Sequence, residues 1–215
     1  MKATEAKFLD FIKKSPQFVI PIYQRAYSWT EKECRQLWDD IVRTGENDAV
    51  NAHFVGSIVY IEKGLYQVTS HSPLLVIDGQ QRLTSLSLLI AALAEALEDH
   101  PIDNFEPVDG FSPRKLRYYY LVNPEEDGDR HYKLILSQTD KESLIAVIER
   151  RELPVDLSLR IKENYALFTL CPCRKQSPLV GVTMPNNIRK VVVFPAPFRP
   201  KKPTISPSFT DTFTS

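Results

Sequence analysis

The chain has little that would cross-link it and nothing that would carry a helix through a membrane. Three cysteines in 215 residues, Cys34, Cys171 and Cys173, make no disulfide framework, and a reducing cytoplasm is the expected compartment. No run of about 18 apolar residues occurs, which excludes a membrane-spanning helix. The segment Met1 to Lys7 mixes acidic and basic residues and lacks an apolar core, so no secretory signal is read there. The four histidines, at 53, 71, 100 and 131, share no metal-ligand spacing with one another or with Cys34. Cys171-Pro-Cys173 has no second pair to complete a zinc site. No His-Asn nuclease constellation is visible. Net charge is absent too, with 27 Lys+Arg against 27 Asp+Glu.

That zero hides an asymmetry. Residues 171–215 hold seven basic residues and one acidic, whereas residues 1–170 hold 20 basic and 26 acidic. Half of the 16 prolines fall in the last 45 residues. Two compositions therefore meet near residue 170. The acidic body opposes tight DNA binding by itself. A hydrophobic content of 43% with 25% charged residues is that of a globular protein, and the length suits one domain plus an appendage.

Periodicity places the elements. Residues 4–14 read as a short helix, and Gln17 to Ile22 as a strand closed by Pro21. Thr30-Glu-Lys-Glu33 fits a capping box, opening a helix with Cys34, Leu37, Trp38 and Ile41 on one face. Phe54 to Ile61 reads as a strand, with Tyr66 to Thr69 as its partner across a Lys63-Gly64 turn. Leu74 to Ile77 is a buried-type strand. It runs through Asp78-Gly79 into a helix over about 80–99 with the stripe Leu83, Leu86, Ile90, Leu93, Leu97. Arg114 to Val122 and Tyr132 to Leu136 are expected as strands. Thr139-Asp-Lys-Glu142 is a second capping box, and a last helix runs from near Leu157 through Phe168. Prolines at 195, 197, 200, 203 and 207 argue against a helix or central strand beyond that point. Residues 169–215 thus read as a basic, Pro-rich tail without its own core.

The strand–helix turn at 76–84 offers the clearest chemistry. The first N–H groups of a helix lack partners, and phosphate suits them. Gly79 clears the approach to the backbone. Arg82, one turn in, can fork onto a phosphate, and Asp78 suits Mg²⁺ or a water better than bare phosphate. The plainer alternative is that Asp78 caps the helix while Gln80, Gln81 and Arg82 are solvated. A second stretch, Ile20 to Trp29, crowds Tyr23, Gln24, Arg25, Tyr27 and Trp29 into one loop. Aromatic faces beside an arginine suit a base and a phosphate. Alternatively the aromatics plug the core and Arg25 pairs with an acid. In His53-Phe-Val-Gly-Ser57, Gly56 permits a close backbone approach.

Four motifs in order, Ile-Pro-x-Tyr-Gln-Arg-x-Tyr-x-Trp (20–29), Leu-Trp-x-Asp-Ile (37–41), His-Phe-x-Gly-Ser-Ile-Val (53–59) and Ile-Asp-Gly-Gln-Gln-Arg-Leu-Thr (77–84), carry a resemblance. The sequence resembles the N-terminal domain of GmrSD-type restriction proteins over about residues 4–168. The stretches 134–140 and 164–168 look like that family too. The resemblance implies an α+β domain of the ParB/sulfiredoxin-like nucleotide-binding fold with a helical extension; the Pro-rich tail, expected to be disordered, departs from the family pattern, which ends at Phe168. The resemblance also implies binding and hydrolysis of a nucleoside triphosphate with Mg²⁺, in a DNA-restricting, antiviral system. By motif matching, Asp78, Gly79, Gln80, Gln81 and Arg82 form the nucleotide site, with Tyr23, Gln24, Arg25 and Thr84 beside them. Asp78, Gln80, Gln81 and Arg82 would be catalytic, and Asp78 the metal contact. DNA would be reached through a missing or separate nuclease domain, no membrane is involved, and a homo-oligomer is allowed. The alternatives are a non-catalytic nucleotide- or DNA-binding module and an inactive truncated remnant.

Overall fold

One helix organises the molecule. In the computed structural model, which describes residues 4–47, 49–50, 52–62, 72–101, 105–174 and 191–197, helix α3 (Gln80–Glu98) buries 15 of its 19 residues. The expected stripe Leu83, Leu86, Ile90, Leu93, Leu97 is buried, but so are Leu88, Leu89, Ala91, Ala92 and Ala94. A helix apolar all round must be wrapped on every side. Helices α4 (Pro113–Leu116), α5 (Gln138–Ile148) and α6 (Leu159–Arg174) pack on it, as do strands β3 (His53–Glu62) and β5 (Leu134–Ile135). Phe8, Phe18, Ile58, Phe111, Leu116 and Phe168 close the same core. No described helix is long and apolar enough to cross a membrane.

The remaining elements are β1 (Ala6–Lys7), α1 (Phe8–Lys14), β2 (Phe18–Val19), α2 (Glu31–Glu46), β4 (Leu74–Asp78) and β6 (Val191–Pro197). The strands form one mixed sheet in the order β1-β6-β3-β4-β2-β5, so the domain is α+β. β2 pairs parallel with both β4 and β5, and β3 pairs antiparallel with β4. The capping box at Thr30 and Glu33 forms as expected, with Thr30 N–H donating to the Glu33 carboxylate at 2.7 Å. Lys133 is buried and pairs with no acid among the described residues. Its Nζ donates to Ser15 O at 2.7 Å, just past the end of α1, and burial pushes its pKa down.

Three expectations are corrected. Arg114 to Val122 is not a strand: α4 runs into a π-helical turn, Arg117–Leu121. Ser112 caps it through Lys115 N–H, and Pro113 occupies the first turn, where its missing donor costs nothing. The second capping box does not form, because α5 begins at Gln138 with Ser137 at its N-cap, and Thr139 lies inside the helix. Last, α6 continues past Phe168 to Arg174, and Val191–Pro197 is a strand lying between β1 and β3. Pro195 and Pro197 have the same parity, so their missing donors fall on one edge. β1 reaches only Val192 and Val193, leaving that length of strand without a second partner among the described residues. The expected strand at Tyr66 to Thr69 lies outside the described residues.

The far end of α3 is tied by charge. Glu98 accepts from Arg117 and, at 3.2 Å, from Arg150, and Arg117 also donates to the Ile148 carbonyl. The hydrogen bond from Arg117, helped by the charge of Arg150, holds the Glu98 pKa below the usual carboxylate range. Glu98 therefore binds its proton less tightly in the fold than in the unfolded chain. Its stabilisation is complete above the unfolded carboxylate pKa and is lost as pH falls through the lower folded value. Glu98→Gln should cost about 1 kcal/mol near neutrality. In urea titrations at falling pH, the gap between variant and wild type should close in acid.

Candidate functional site

β2 and β4 run parallel side by side, so the chain leaves their carboxyl ends on one edge of the sheet. After β2 comes the loop 20–29. After β4, Asp78 and Gly79 lead directly into α3. Gly79 is the N-cap, with φ +98°, and no side chain caps the helix, so Asp78 is not a cap. A Cβ on Gly79 would stand 3.0 Å from Ser57 O and 3.1 Å from Ile58 Cα, both backbone atoms of β3. Glycine is required there by conformation and by space.

The first turn of α3 is not solvated. Gln80 and Gln81 are buried and their amides hold the loop. Gln80 Nε2 donates to Arg25 O at 2.9 Å, and Gln81 Nε2 to Ala26 O at 3.3 Å. Gln81 Oε1 accepts from Ser28 N–H at 2.8 Å and Trp29 N–H at 3.2 Å. Gln24 Nε2 reaches back to Ile77 O at 2.9 Å. The loop and the strand–helix turn are thus sewn together through side-chain amides, which carry donor and acceptor on one group.

Two further residues join the clamp, and sequence reasoning gave neither a role. Asp140, buried at the start of α5, accepts from Tyr27 N–H at 2.6 Å. Asn164, buried on α6, donates to Trp29 O at 2.8 Å and Tyr27 Oη at 3.0 Å. Tyr27 Oη also shares a 2.7 Å hydrogen bond with Ser85, and burial drives the phenol pKa far up, so it stays protonated. One signal was available: Asn164 interrupts the apolar stripe Ile161, Phe168, Cys171 on α6, and a polar residue there needs partners.

Arg82 is aimed by β3. Its Nη1 donates to Ser57 O at 3.0 Å, and its guanidinium lies across Gly56. A Cβ on Gly56 would stand 2.6 Å from Arg82 Nε, and φ there is +125°. The close approach expected at Gly56 is therefore made by the arginine of the signature turn. Between loop and turn lies a cleft of about 150 Å³, lined by Gln24, Arg25, Trp29 and the run Asp78 to Arg82. The Arg25 guanidinium and the Asp78 carboxylate have no hydrogen-bond or ion-pair partner among the described residues. Among the described residues Arg25 does not pair with an acid, and Trp29 both packs on the core and lines the cleft.

Two expected residues are not brought to the cleft. Thr84 is fully buried one turn down, its hydroxyl donating to Gln80 O at 3.0 Å. Tyr23 is 70% exposed and outside the lining. His53 is half-buried, with its pKa lowered by desolvation, and also stands outside the lining.

Fold and site define an α+β domain with a small, charged cleft at the carboxyl ends of adjacent parallel strands. The sequence model described as the GmrSD restriction endonuclease N-terminal domain matches residues 6–176. The chain belongs to that family, and the match runs past Phe168 to the end of α6. No curated protein matches.

Removing Asp140 would leave the buried Tyr27 N–H unpaired, so Asp140→Ala should cost about 1–3 kcal/mol in chemical denaturation. Limited proteolysis should then cut within residues 22–29 faster than in wild type. Gly56→Ala should cost about 1–3 kcal/mol through its backbone conformation. It should also push Arg82 off the Ser57 carbonyl, visible as a displaced guanidinium in a crystal structure of the variant.

Proposed function

We propose that the cleft binds the phosphates of a nucleoside triphosphate and hydrolyses the terminal one, in a DNA-restricting defence protein. The observation that carries this reading is two cleft arginines flanking one unpartnered carboxylate at a strand–helix turn. At about 150 Å³ the cleft is smaller than the ~300–1,000 Å³ that takes a whole drug-sized ligand. It suits phosphate groups, with the nucleoside lying outside on the side of Tyr23. Arg82, pre-aimed by Ser57 and Gly56, grips one phosphate, and Arg25 closes on it from the loop. Each charged hydrogen bond contributes about 1.5–3 kcal/mol, more than the ~0.3–1 kcal/mol of the helix dipole.

The donor set fits Mg²⁺ only in company with phosphate. Asp78 is one carboxylate, and no cluster of three or more His, Cys, Asp or Glu suited to a metal exists among the described residues. Mg²⁺ is commonly held by one or two carboxylates plus phosphate oxygens and water. Asp78 would hold it, and the ion would neutralise phosphate charge. Gln80 and Gln81 act as positioning residues, through the Nε2 of Gln80 and both ends of the Gln81 amide. The Gly-x-x-Arg turn at 79–82 supports kinship with the ParB/sulfiredoxin-like fold. DNA would be engaged through a nuclease domain in the same or a separate chain.

A second reading, binding without turnover, is favoured by that same commitment: Gln81 uses both ends of its amide on the loop, Gln80 spends its Nε2 there, and the Thr84 hydroxyl donates to Gln80 O. One titration separates the two. Purified protein is mixed with a panel of nucleoside triphosphates and Mg²⁺, and melting temperature and phosphate release are followed beside Arg82→Ala and Asp78→Ala. A ligand at about 100 times its Kd should stabilise wild type by about 2.7 kcal/mol. Arg82→Ala should lose both stabilisation and release, and Asp78→Ala should lose release. Stabilisation without release favours the binding module. No stabilisation by any triphosphate overturns the reading.

A further inference from the structure

Away from the cleft, the acidic body carries a face of opposite character. Residues 1–170 have six more acids than bases, yet Lys13, Lys14, Arg114 and Lys115 gather with Tyr118 and Tyr119 where α1 meets the π-helical turn. Lys13 Nζ lies 4.2 Å from the centroid of the Tyr119 ring, and Arg114 Cζ lies 5.2 Å from that of Tyr118. The rings are 39% and 41% exposed. Lys115 is held by Glu106 at 2.8 Å, but Lys13, Lys14 and Arg114 pair with no carboxylate among the described residues. The wide π turn, a rare form that is frequent at functional sites, exposes two successive tyrosines while burying Tyr120 and Leu121.

We propose that this face binds a single nucleic-acid strand, with phosphates at Lys13 and Arg114 and unpaired bases against Tyr118 and Tyr119. Each exposed ring has a cation beside it that pairs with no carboxylate among the described residues, so a stacking face and a phosphate contact come together at each tyrosine, a combination an acidic peptide does not use. A duplex keeps its bases stacked and offers the rings no π-face. The net acidity of residues 1–170 disfavours a polyanion on the body as a whole, so binding there depends on a local cluster of bases such as this one. This inference does not rest on the nucleotide reading of the cleft.

The test uses the full chain and a fluorescein-labelled oligothymidylate, with binding followed by anisotropy over a range of salt. The basic residues beyond 170 are common to all variants, so the differences report on this face. Lys13→Ala with Arg114→Ala should flatten the slope of log K against log salt by about 1.4, at ~0.7 for each phosphate contact on a single strand. Tyr118→Leu with Tyr119→Leu should weaken binding about tenfold with the slope kept. Arg82→Ala should bind as wild type does, and all variants should melt with it. The proposal is overturned if the wild type fails to bind the strand or if neither double variant changes its affinity. It is equally overturned if duplex or polyglutamate binds as tightly as the strand.

Discussion

The structure depends on one set of hydrogen bonds, the clamp between the first turn of α3 and the loop 24–29. Two glutamine amides make four contacts to that loop's backbone, and Gln24 returns a fifth to β4. Without them the loop would have no reason to sit over the strand end. Its unpaired N–H and C=O groups would each carry a burial penalty of about 1–3 kcal/mol. With them, the cleft has a wall, and Arg25 and Trp29 face the turn that carries Asp78 and Arg82.

The clamp is backed from three further directions. Asp140 brings the start of α5 to Tyr27, and Asn164 brings α6 to Tyr27 and Trp29. Ser85 on α3 meets the Tyr27 hydroxyl from below. These buried polar groups gain little net energy over water, but each is costly to orphan. Such a network specifies a single loop position more than it adds stability. It also explains why α6 belongs to the site: a shift of that helix would pull on the backbone of Trp29, which lines the cleft.

β3 contributes from the opposite side. Its antiparallel pairing with β4 sets Val59 against Asp78, and this brings Gly56 and Ser57 up to the α3 turn. Two glycines at positive φ then serve the contact between β3 and the α3 turn. Gly79 lets the turn touch β3, and Gly56 lets Arg82 lie flat on it. The arginine is thereby held by a backbone carbonyl rather than by a carboxylate, so its charge stays available to an anion.

Much of this was legible in the residues themselves. The apolar repeat gave α3, the Thr30 and Glu33 pair gave the start of α2, and Asp78-Gly79 ahead of a helix gave the turn. These are local patterns, written within a few residues. Where the local code was ambiguous the reading failed, as at Tyr118-Tyr-Tyr120, whose alternation suits a strand until Ser112 and Pro113 start a helix ahead of it. The prolines of Val191–Pro197 argued against a central strand, but the short β1 leaves them room. The sequence by itself determined the family, the α+β class and the arginine at the helix start. The tertiary structure decided what Gln80 and Gln81 do, that Thr84 and Tyr23 stand outside the cleft, and that Asp140 and Asn164 support it. The physical reason is that each of those roles is a hydrogen bond or a burial between residues far apart in the chain. Local spacing carries no record of which distant backbone an amide will meet.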